Sequence, residues 1–173
     1  MLKLLPLLTS LLNTQPLLIT TDELQIRFTP RTPDQMASFY EARGFPGEMR
    51  ELLKQQCFIT VGIRNTSQKK IWLDLANWRF SVNGRELKRA HRDEWKSRWQ
   101  SMNIPLSKQS TFRWTLLPES LDYLPGEYEG GNIILPFSAQ PIQLEARFLT
   151  GDRKQGKPII IKTNRLFCAK DKK

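Results

Sequence analysis

The sequence predicts a mainly β protein whose antiparallel strands form a sandwich or a barrel. Three observations lead to this prediction. Apolar and polar residues alternate with a period of two over residues 57–64 and again over residues 142–148, which is typical of half-buried strands. Asn83-Gly84 is a strong hairpin turn signal. Short strand patterns separated by turn residues recur along the chain, as they do in sandwiches and barrels.

Helical patterns precede the main strand pattern. Residues 23–28 alternate and predict an early strand. The motif Thr-Pro-Asp-Gln at residues 32–35 combines a candidate N-cap, a proline for the first helical position and a capping-box glutamine. This helix is expected to end at Gly44, and Pro46 begins a second short helix. Both belong to a predicted helical addition over about residues 32–55.

The strand pattern starts at Cys57, and its phase slips once. After a polar turn, residues 71–75 continue the alternation. The apolar set then changes phase at residues 76–77, which predicts a β-bulge, because a slip of one residue moves side chains to the opposite face. A short strand is expected after the hairpin turn, at residues 85–88.

Residues 91–103 have the pattern of a helix inserted between strands. Trp95, Trp99 and Met102 are spaced so that they form one stripe on this helix. We expect this stripe to face the protein core. The alternative is that the two tryptophans, together with neighbouring arginines such as Arg98, stack on bases or sugars.

Four further strands are predicted in the C-terminal half. They cover residues 112–116, 133–137, 142–148 and 158–168, each with apolar residues on one face. The string LPGEYEGG at residues 124–131 is rich in turn residues and predicts a loop. Together with the strands before residue 90, these segments supply enough strands for two sheets.

Two stretches resemble bacterial extracytoplasmic immunoglobulin-like domains. The string FITVGIRNTSQKKIWLDLANWRFSVNGREL at residues 58–87 resembles their opening hairpin, and LPGEYEGGNIILPF at residues 124–137 resembles a later loop and strand. The resemblance implies an exported setting and carries no catalytic residues over. With the patterns above, it predicts a mainly β, antiparallel immunoglobulin-like β-sandwich with short helical additions before the first core strand and in one loop.

The N-terminus predicts export. Residues 1–21 combine one Lys with a Leu-rich run, as secretory signals do, although prolines interrupt the run and no small-residue cleavage site is visible. We expect residues 1–21 to be a signal-like or anchor segment and residues 22–173 to be a single β-sandwich domain. The predicted location is periplasmic or otherwise exported, and the cytoplasm is the alternative.

The charge of the chain favours an anionic partner. It has 27 Lys and Arg against 17 Asp and Glu, a formal net charge of +10. We expect a ligand at a rim that combines the basic residues Arg85, Arg89 and Arg92 with Tyr128 of the predicted loop, because loops on a rigid sandwich commonly carry binding sites. The alternative is a basic surface that only keeps the protein soluble.

Cys57 and Cys168 are the only cysteines, so their count is even. Each lies in phase with the apolar residues of a predicted strand. We expect a disulfide between them, as between core cysteines of immunoglobulin domains, and export would permit its oxidation. Two buried free thiols are the alternative.

The sequence offers no recognisable catalytic or metal site. His91 is the only histidine, whereas catalytic zinc and blue-copper sites need at least two. It also lies in a highly charged run, which suits a solvent-exposed residue rather than a catalytic base. The glycines at residues 126–131 match no phosphate-binding or dinucleotide fingerprint. No cofactor is therefore predicted.

These observations predict an exported binding or accessory protein without catalytic activity. Its partner is expected to be a protein or an envelope component. A cytoplasmic basic protein that binds nucleic acid or another anion is the alternative. An enzyme of unrecognised type is the third possibility, and it would require a catalytic group that the sequence does not reveal.

Overall fold

A computed structural model describes residues 15–171. Strands make up 41% of these residues and helices 25%, so the fold is mainly β, as predicted. Most of the predicted leader lies in residues 1–14, outside the described residues. None of the helices within residues 15–171 is long and apolar enough to span a membrane.

The described residues form two antiparallel sheets and four helices. The strands are β1 (Leu17–Thr20), β2 (Leu24–Arg31), β3 (Gln56–Asn65), β4 (Ile71–Asp74), β5 (Trp78–Val82), β6 (Arg85–Glu86), β7 (Ser120–Tyr123), β8 (Tyr128–Pro136), β9 (Ile142–Thr150) and β10 (Ile159–Leu166). The helices are α1 (Pro33–Glu41), α2 (Gly47–Lys54), α3 (Arg92–Ser101) and α4 (Leu106–Thr115).

The first sheet has the order β1-β2-β3-β8. In the second sheet, β9 pairs with β10 along one edge and with β4 and β5 along the other. β7 continues the sheet beyond β4, and β6 continues it beyond β5. β1 lies within the last residues of the predicted leader and pairs with β2 over its whole length.

The two sheets pack face to face, as in a β-sandwich. Alternate residues of each strand point into the shared core, which follows from the period-two pattern of the sequence. Phe28 of the first sheet lies 6.3 Å from Trp78 of the second, and Trp78 lies 5.6 Å from Phe148, measured between ring centroids. Each fully buried large apolar side chain contributes about 1.5–3 kcal/mol.

The helices form a third layer with a core of its own. Phe58 of β3 and Ile134 of β8 lie opposite each other on the outer face of the first sheet. They pack with residues of all four helices, among them Tyr40, Trp99 and Phe112. At this end of the sheet, β3 is therefore buried on both faces.

Local sequence signals position the first helix and the β5–β6 hairpin as predicted. The Thr32 side chain accepts a hydrogen bond from the backbone N–H of Gln35, and the Gln35 side chain accepts one from the Thr32 N–H. Gly44 follows α1 with a φ of 68°, a conformation that favours glycine. Asn83 and Gly84 have φ values of 49° and 77°, as required of a type I′ turn.

The strand predicted at residues 112–116 is wrong, because this segment ends helix α4. Three alternating apolar residues are too few to distinguish a strand from a helix. Gln109, Phe112 and Leu116 are buried at helical spacing, whereas Trp114 is 86% exposed. The insertion between β6 and β7 thus contains two helices rather than one.

Two smaller predictions also differ from the structure. A 3₁₀ turn at Leu75–Asn77 replaces the predicted bulge, and the Asp74 carboxylate accepts a hydrogen bond from the Ala76 N–H to start it. This turn lets β4 and β5 pair with different parts of β9.

The predicted loop at residues 124–131 is shorter, since β8 begins at Tyr128. Phe137 lies beyond β8 and is 42% exposed.

The predicted disulfide is confirmed. Cys57 and Cys168 are bonded, with their Cα atoms 5.1 Å apart and a sequence separation of 111. Cys57 lies near the start of β3 in the first sheet, and Cys168 lies just after β10 of the second. The bond therefore joins the two sheets of the sandwich.

Trp95 and Trp99 are 2% and 1% exposed, which confirms that they face inward. Replacing either one by Ala is expected to lower the free energy of unfolding by about 3–5 kcal/mol, because each replacement leaves a cavity. Urea titration followed by circular dichroism measures this loss. Trp114→Ala is the matched control and should change stability by no more than about 0.5 kcal/mol. Equal effects of all three substitutions would contradict the packing described for α3.

Cys57→Ala with Cys168→Ala is expected to lower the free energy of unfolding by about 2–4 kcal/mol, since the bond restricts the unfolded chain. Thermal unfolding of this variant and of the wild-type protein, each with and without reductant, provides the measurement. Reductant should destabilise the wild-type protein and leave the double variant unchanged. Alkylation of both thiols in the unreduced, denatured wild-type protein would show that the bond is not formed.

Candidate binding site

A group of charged side chains surrounds Glu119, which follows α4. Arg89 Nη1 donates to Glu119 Oε1 at 3.0 Å, and Arg89 Nη2 donates to Oε2 at 2.5 Å. The backbone N–H of Arg92, in the first turn of α3, donates to Oε1 at 2.9 Å. The Arg89 and Glu119 side chains are only 14% and 21% exposed. This ion cluster ties the segment before α3 to the segment after α4.

The surroundings of the ion cluster shift two pKa values. Burial opposes the ionisation of Glu119, but hydrogen bonds from Arg89 and from the Arg92 backbone outweigh it, so the pKa of Glu119 lies below its usual value. Burial, together with the nearby charge of Arg113, lowers the pKa of Arg92. The Arg92 guanidinium donates to the backbone carbonyl of Leu116 and is thereby held between the two helices.

A groove of about 360 Å³ lies between α3 and α4, next to the ion cluster. Its volume is at the lower end of the range for small-molecule sites, about 300–1,000 Å³. Trp99, Phe112 and Leu116 supply buried apolar surface. The charged lining residues are three cations and one carboxylate: Arg92, Lys96, Arg113 and Asp93. The groove therefore combines an apolar lining with an excess of positive charge.

Three residues that line this groove each carry a buried polar atom without a hydrogen-bond partner in residues 15–171. These atoms are Arg92 Nε, Trp99 Nε1 and Gln109 Oε1. Gln109 Nε2 donates to the Ile104 carbonyl at 2.8 Å, which orients the amide and leaves its oxygen unpaired. An unpaired buried polar group costs about 1–3 kcal/mol. Because these three atoms have almost no accessible surface, this cost belongs to the packing between α3 and α4 and is not a contact open to a ligand.

The structure brings together only two of the residues predicted to bind a ligand. Arg89 and Arg92 share Glu119, but the Arg89 guanidinium is occupied by that carboxylate. Arg85 lies on the exposed strand β6 of the second sheet. Tyr128 lies on the outer face of the first sheet, where the Arg64 guanidinium is 5.3 Å from its ring centroid. Arg85, the ion cluster and Tyr128 thus occupy three separate places on the described surface.

Sequence reasoning missed Lys96, Gln109 and Arg113 as members of one site. Lys96 and Arg113 lie on different helices, and Gln109 and Arg113 lie in the helix whose N-terminal half went unrecognised and whose C-terminal half was predicted as a strand. Trp99 was assigned to the core, and it is both buried and part of the groove lining. Recognition of the buried stripe in α4 would have indicated a helix pair, and with it the groove.

His91 has a structural position at the start of α3. Its Nδ1 accepts a hydrogen bond from the Asp93 backbone N–H at 3.1 Å, and the Glu94 side chain accepts one from the His91 N–H at 3.1 Å. The histidine therefore acts as an N-cap in a capping box. Within residues 15–171, no three His, Cys, Asp or Glu side chains come together as ligands for a metal ion.

Comparison with known proteins adds no relative. No protein-family model matches the chain, and no curated protein matches it at a significant level. The immunoglobulin-like resemblance therefore stays a prediction, and functional inference depends on the site geometry.

Glu119→Gln is expected to lower the free energy of unfolding by about 1.5–3 kcal/mol near pH 7, because it removes a charged acceptor from the ion cluster. The folded pKa of Glu119 lies below its ordinary value of 4.5. The stabilisation is thus fully present above that value and is lost as the pH falls through the folded pKa. Urea titrations near pH 7 and at about pH 3 should give a large difference between variant and wild type in the first case and a small one in the second.

Glu86→Gln is the matched control for this prediction. Glu86 is exposed on β6 and forms no salt bridge within residues 15–171. Its substitution should change stability by no more than about 0.5 kcal/mol. A Glu119→Gln variant as stable as the control near neutral pH would mean that the ion cluster does not hold the two helices together.

Proposed function

We propose that this chain is an exported β-sandwich binding or accessory protein without catalytic activity. Its ligand is an envelope component that presents an anionic group beside an apolar one, and the α3–α4 groove receives it. The observation that supports this proposal is the groove itself, in which three cations and one carboxylate lie beside apolar side chains.

The lining of the groove suggests how such a ligand binds. Lys96 has no salt bridge within residues 15–171, and Arg113 faces only the exposed carboxylate of Asp93, at 3.2 Å. An ion pair this exposed is worth at most about 1 kcal/mol, so an incoming anion competes for Arg113 at little cost. Leu106 lines the same groove and is 73% exposed, so it offers surface to the apolar part of the ligand. The ion cluster keeps the two helices in place while the groove fills.

The proposal of export is supported by the disulfide, because structural disulfides persist in oxidising compartments. The Leu-rich character of residues 1–21 agrees with it. We further propose that the sandwich is an immunoglobulin-like domain of the extracytoplasmic kind. A disulfide between the two sheets supports this finer assignment, since antibody domains also carry a disulfide that joins their two sheets.

The anionic dye 8-anilinonaphthalene-1-sulfonate is a suitable probe of the groove, because it joins a sulfonate to aromatic rings. Its fluorescence is expected to rise on binding to the wild-type protein. Lys96→Gln with Arg113→Gln should weaken the binding about tenfold, since it removes Lys96, which has no salt bridge within residues 15–171, and Arg113, whose ion pair with Asp93 is exposed and weak. A fluorescence titration at fixed ionic strength measures the dissociation constants.

Arg153→Gln with Lys157→Gln is the matched control for this titration. Both residues are exposed, lie in the loop between β9 and β10, and account for the same total charge. This control should bind the dye within about twofold of wild type, because charges this distant are screened. Equal weakening by both double substitutions would indicate that the dye senses only net charge, and the groove would lose its proposed role.

A cytoplasmic protein that binds nucleic acid is the competing proposal. Arg27, Arg64 and Tyr128 favour it, because they form an open basic and aromatic surface on the first sheet. Retention of the protein on single-stranded DNA at about 0.15 M salt, falling steeply as salt is raised, would support this alternative. Fractionation of cells and mass spectrometry of the mature N-terminus decide between the two locations.

A further inference from the structure

A second groove, of about 440 Å³, lies where α1 meets the outer face of the first sheet. Met36 and Phe39 of α1 form its apolar side. Arg31, Thr60 and Asn132 lie on β2, β3 and β8 and form its polar side. This groove shares no lining residue with the α3–α4 groove. It is therefore a separate place for a ligand.

A continuous chain of hydrogen bonds orients the Arg31 side chain. Arg31 Nε donates to Thr60 Oγ1 at 2.9 Å, and Thr60 Oγ1 donates to Asn132 Oδ1 at 2.8 Å. On the α1 side of the groove, the Tyr40 hydroxyl lies 2.8 Å from Thr115 Oγ1. Thr115 Oγ1 in turn donates to the Phe112 carbonyl at 2.7 Å.

The direction of these hydrogen bonds shows which polar groups of the groove are still able to pair with a ligand. The hydroxyl protons of Thr60 and Thr115 are used, and the proton of Tyr40 is directed to Thr115. The Nη1 and Nη2 groups of Arg31, in contrast, have no hydrogen-bond partner among residues 15–171, and no carboxylate there lies within salt-bridge distance. A guanidinium held at Nε with both outer nitrogens free is arranged to receive two oxygens of one planar group.

The positive charge of Arg31 in this groove is suited to a ligand with a single negative charge. Arg27, the next arginine on the same face of β2, is four residues away, or about 13 Å along the strand. Among residues 15–171, Arg31 is the only cation that lines the groove. We propose that this groove binds a carboxylate with a short apolar body, whose oxygens pair with Arg31 and whose apolar part packs on Met36 and Phe39. Such a group occurs in short fatty acids and at the C-terminus of peptides that end in an apolar residue.

Isothermal titration calorimetry with two probes tests the proposal and separates the two sources. Hexanoate represents the fatty acid, and N-acetylleucine represents the peptide C-terminus. At least one of them should bind about tenfold more tightly than acetate, which has the same charge and almost no apolar surface. The tighter of the two identifies the source. Binding of both probes no tighter than acetate would overturn the proposal.

Substitutions then locate the site. Arg31→Gln should weaken binding of the tighter probe about tenfold or more, because it removes the charged partner. Thr60→Val keeps the shape of the side chain and removes the orienting hydroxyl, so it should give a smaller loss. Arg27→Gln is the matched control, an arginine on the same strand and face, and should change the affinity by less than about twofold.

Circular dichroism of each variant establishes that it is folded before titration. Equal losses for Arg31→Gln and Arg27→Gln would mean that only the overall charge matters and would overturn the proposal. Unchanged binding in the Arg31→Gln variant would do the same. The double substitution Lys96→Gln with Arg113→Gln removes the proposed contribution of the α3–α4 groove to the titration. Arg31→Gln should cause the same loss of affinity in that background as in the wild-type protein, so this site and the α3–α4 groove succeed or fail independently.

Discussion

Strand β3 carries apolar side chains on both faces, and each face supports a different part of the protein. Its residues Ile59 and Val61 lie in the core between the two sheets. Phe58 points the other way and lies in the core beneath the helices. The two layers that flank β3 are thus held in register by alternate residues of one strand. A shift of β3 by one residue would exchange the two faces and separate the helices from the sheet.

The helical layer also depends on how the basic residues are used. The cluster that begins at Arg85 suggests an anion-binding surface when it is considered as sequence alone. In the folded protein, Arg89 and the backbone of Arg92 satisfy one buried carboxylate, Glu119, so part of the positive charge has a structural role. Free cations remain where they are separated from carboxylates, as at Lys96 on α3 and Arg31 on β2. Proximity in sequence therefore did not show which arginines are available to bind an anionic ligand.

Local signals allowed much of the fold to be predicted. The capping box at Thr32 and the turn at Asn83 depend on neighbouring residues only, and both have the expected geometry. The pairing of Cys57 with Cys168 was predicted from an even cysteine count and from strand phase. The phase argument was right for Cys57 only. β10 changes register between Thr163 and Leu166, and Ile160, which the alternation places on the same face as Leu166, is 51% exposed. These features need no knowledge of which strands lie side by side.

The parts that could not be predicted depend on contacts between distant segments. Phe112 and Leu116 fit a short strand or a helix equally well, and the helix is decided by packing against α3 and β8. The α3–α4 groove could not be predicted for the same reason, since its lining residues come from two helices. The Arg31 site requires β2, β3 and β8 to be in a particular register, which brings Thr29, Thr60 and Asn132 into one row across the sheet. Period-two alternation alone does not determine such a row.

The bond between Cys57 and Cys168 makes a closed covalent ring of everything from β3 to the end of β10. The elements before Cys57, namely β1, β2, α1 and α2, lie outside this ring. The peptide bond between residues 56 and 57 is their only covalent connection to it. A backbone cut within the ring, for example in the turn between β3 and β4, leaves one molecule. A cut at Gly44 instead separates a fragment that carries Arg31, Met36 and Phe39, and only noncovalent contacts then hold that fragment against Thr60 and Asn132 of the ring. The Arg31 groove is thus formed by two parts of the chain: the segment before Cys57 and the ring that the disulfide closes.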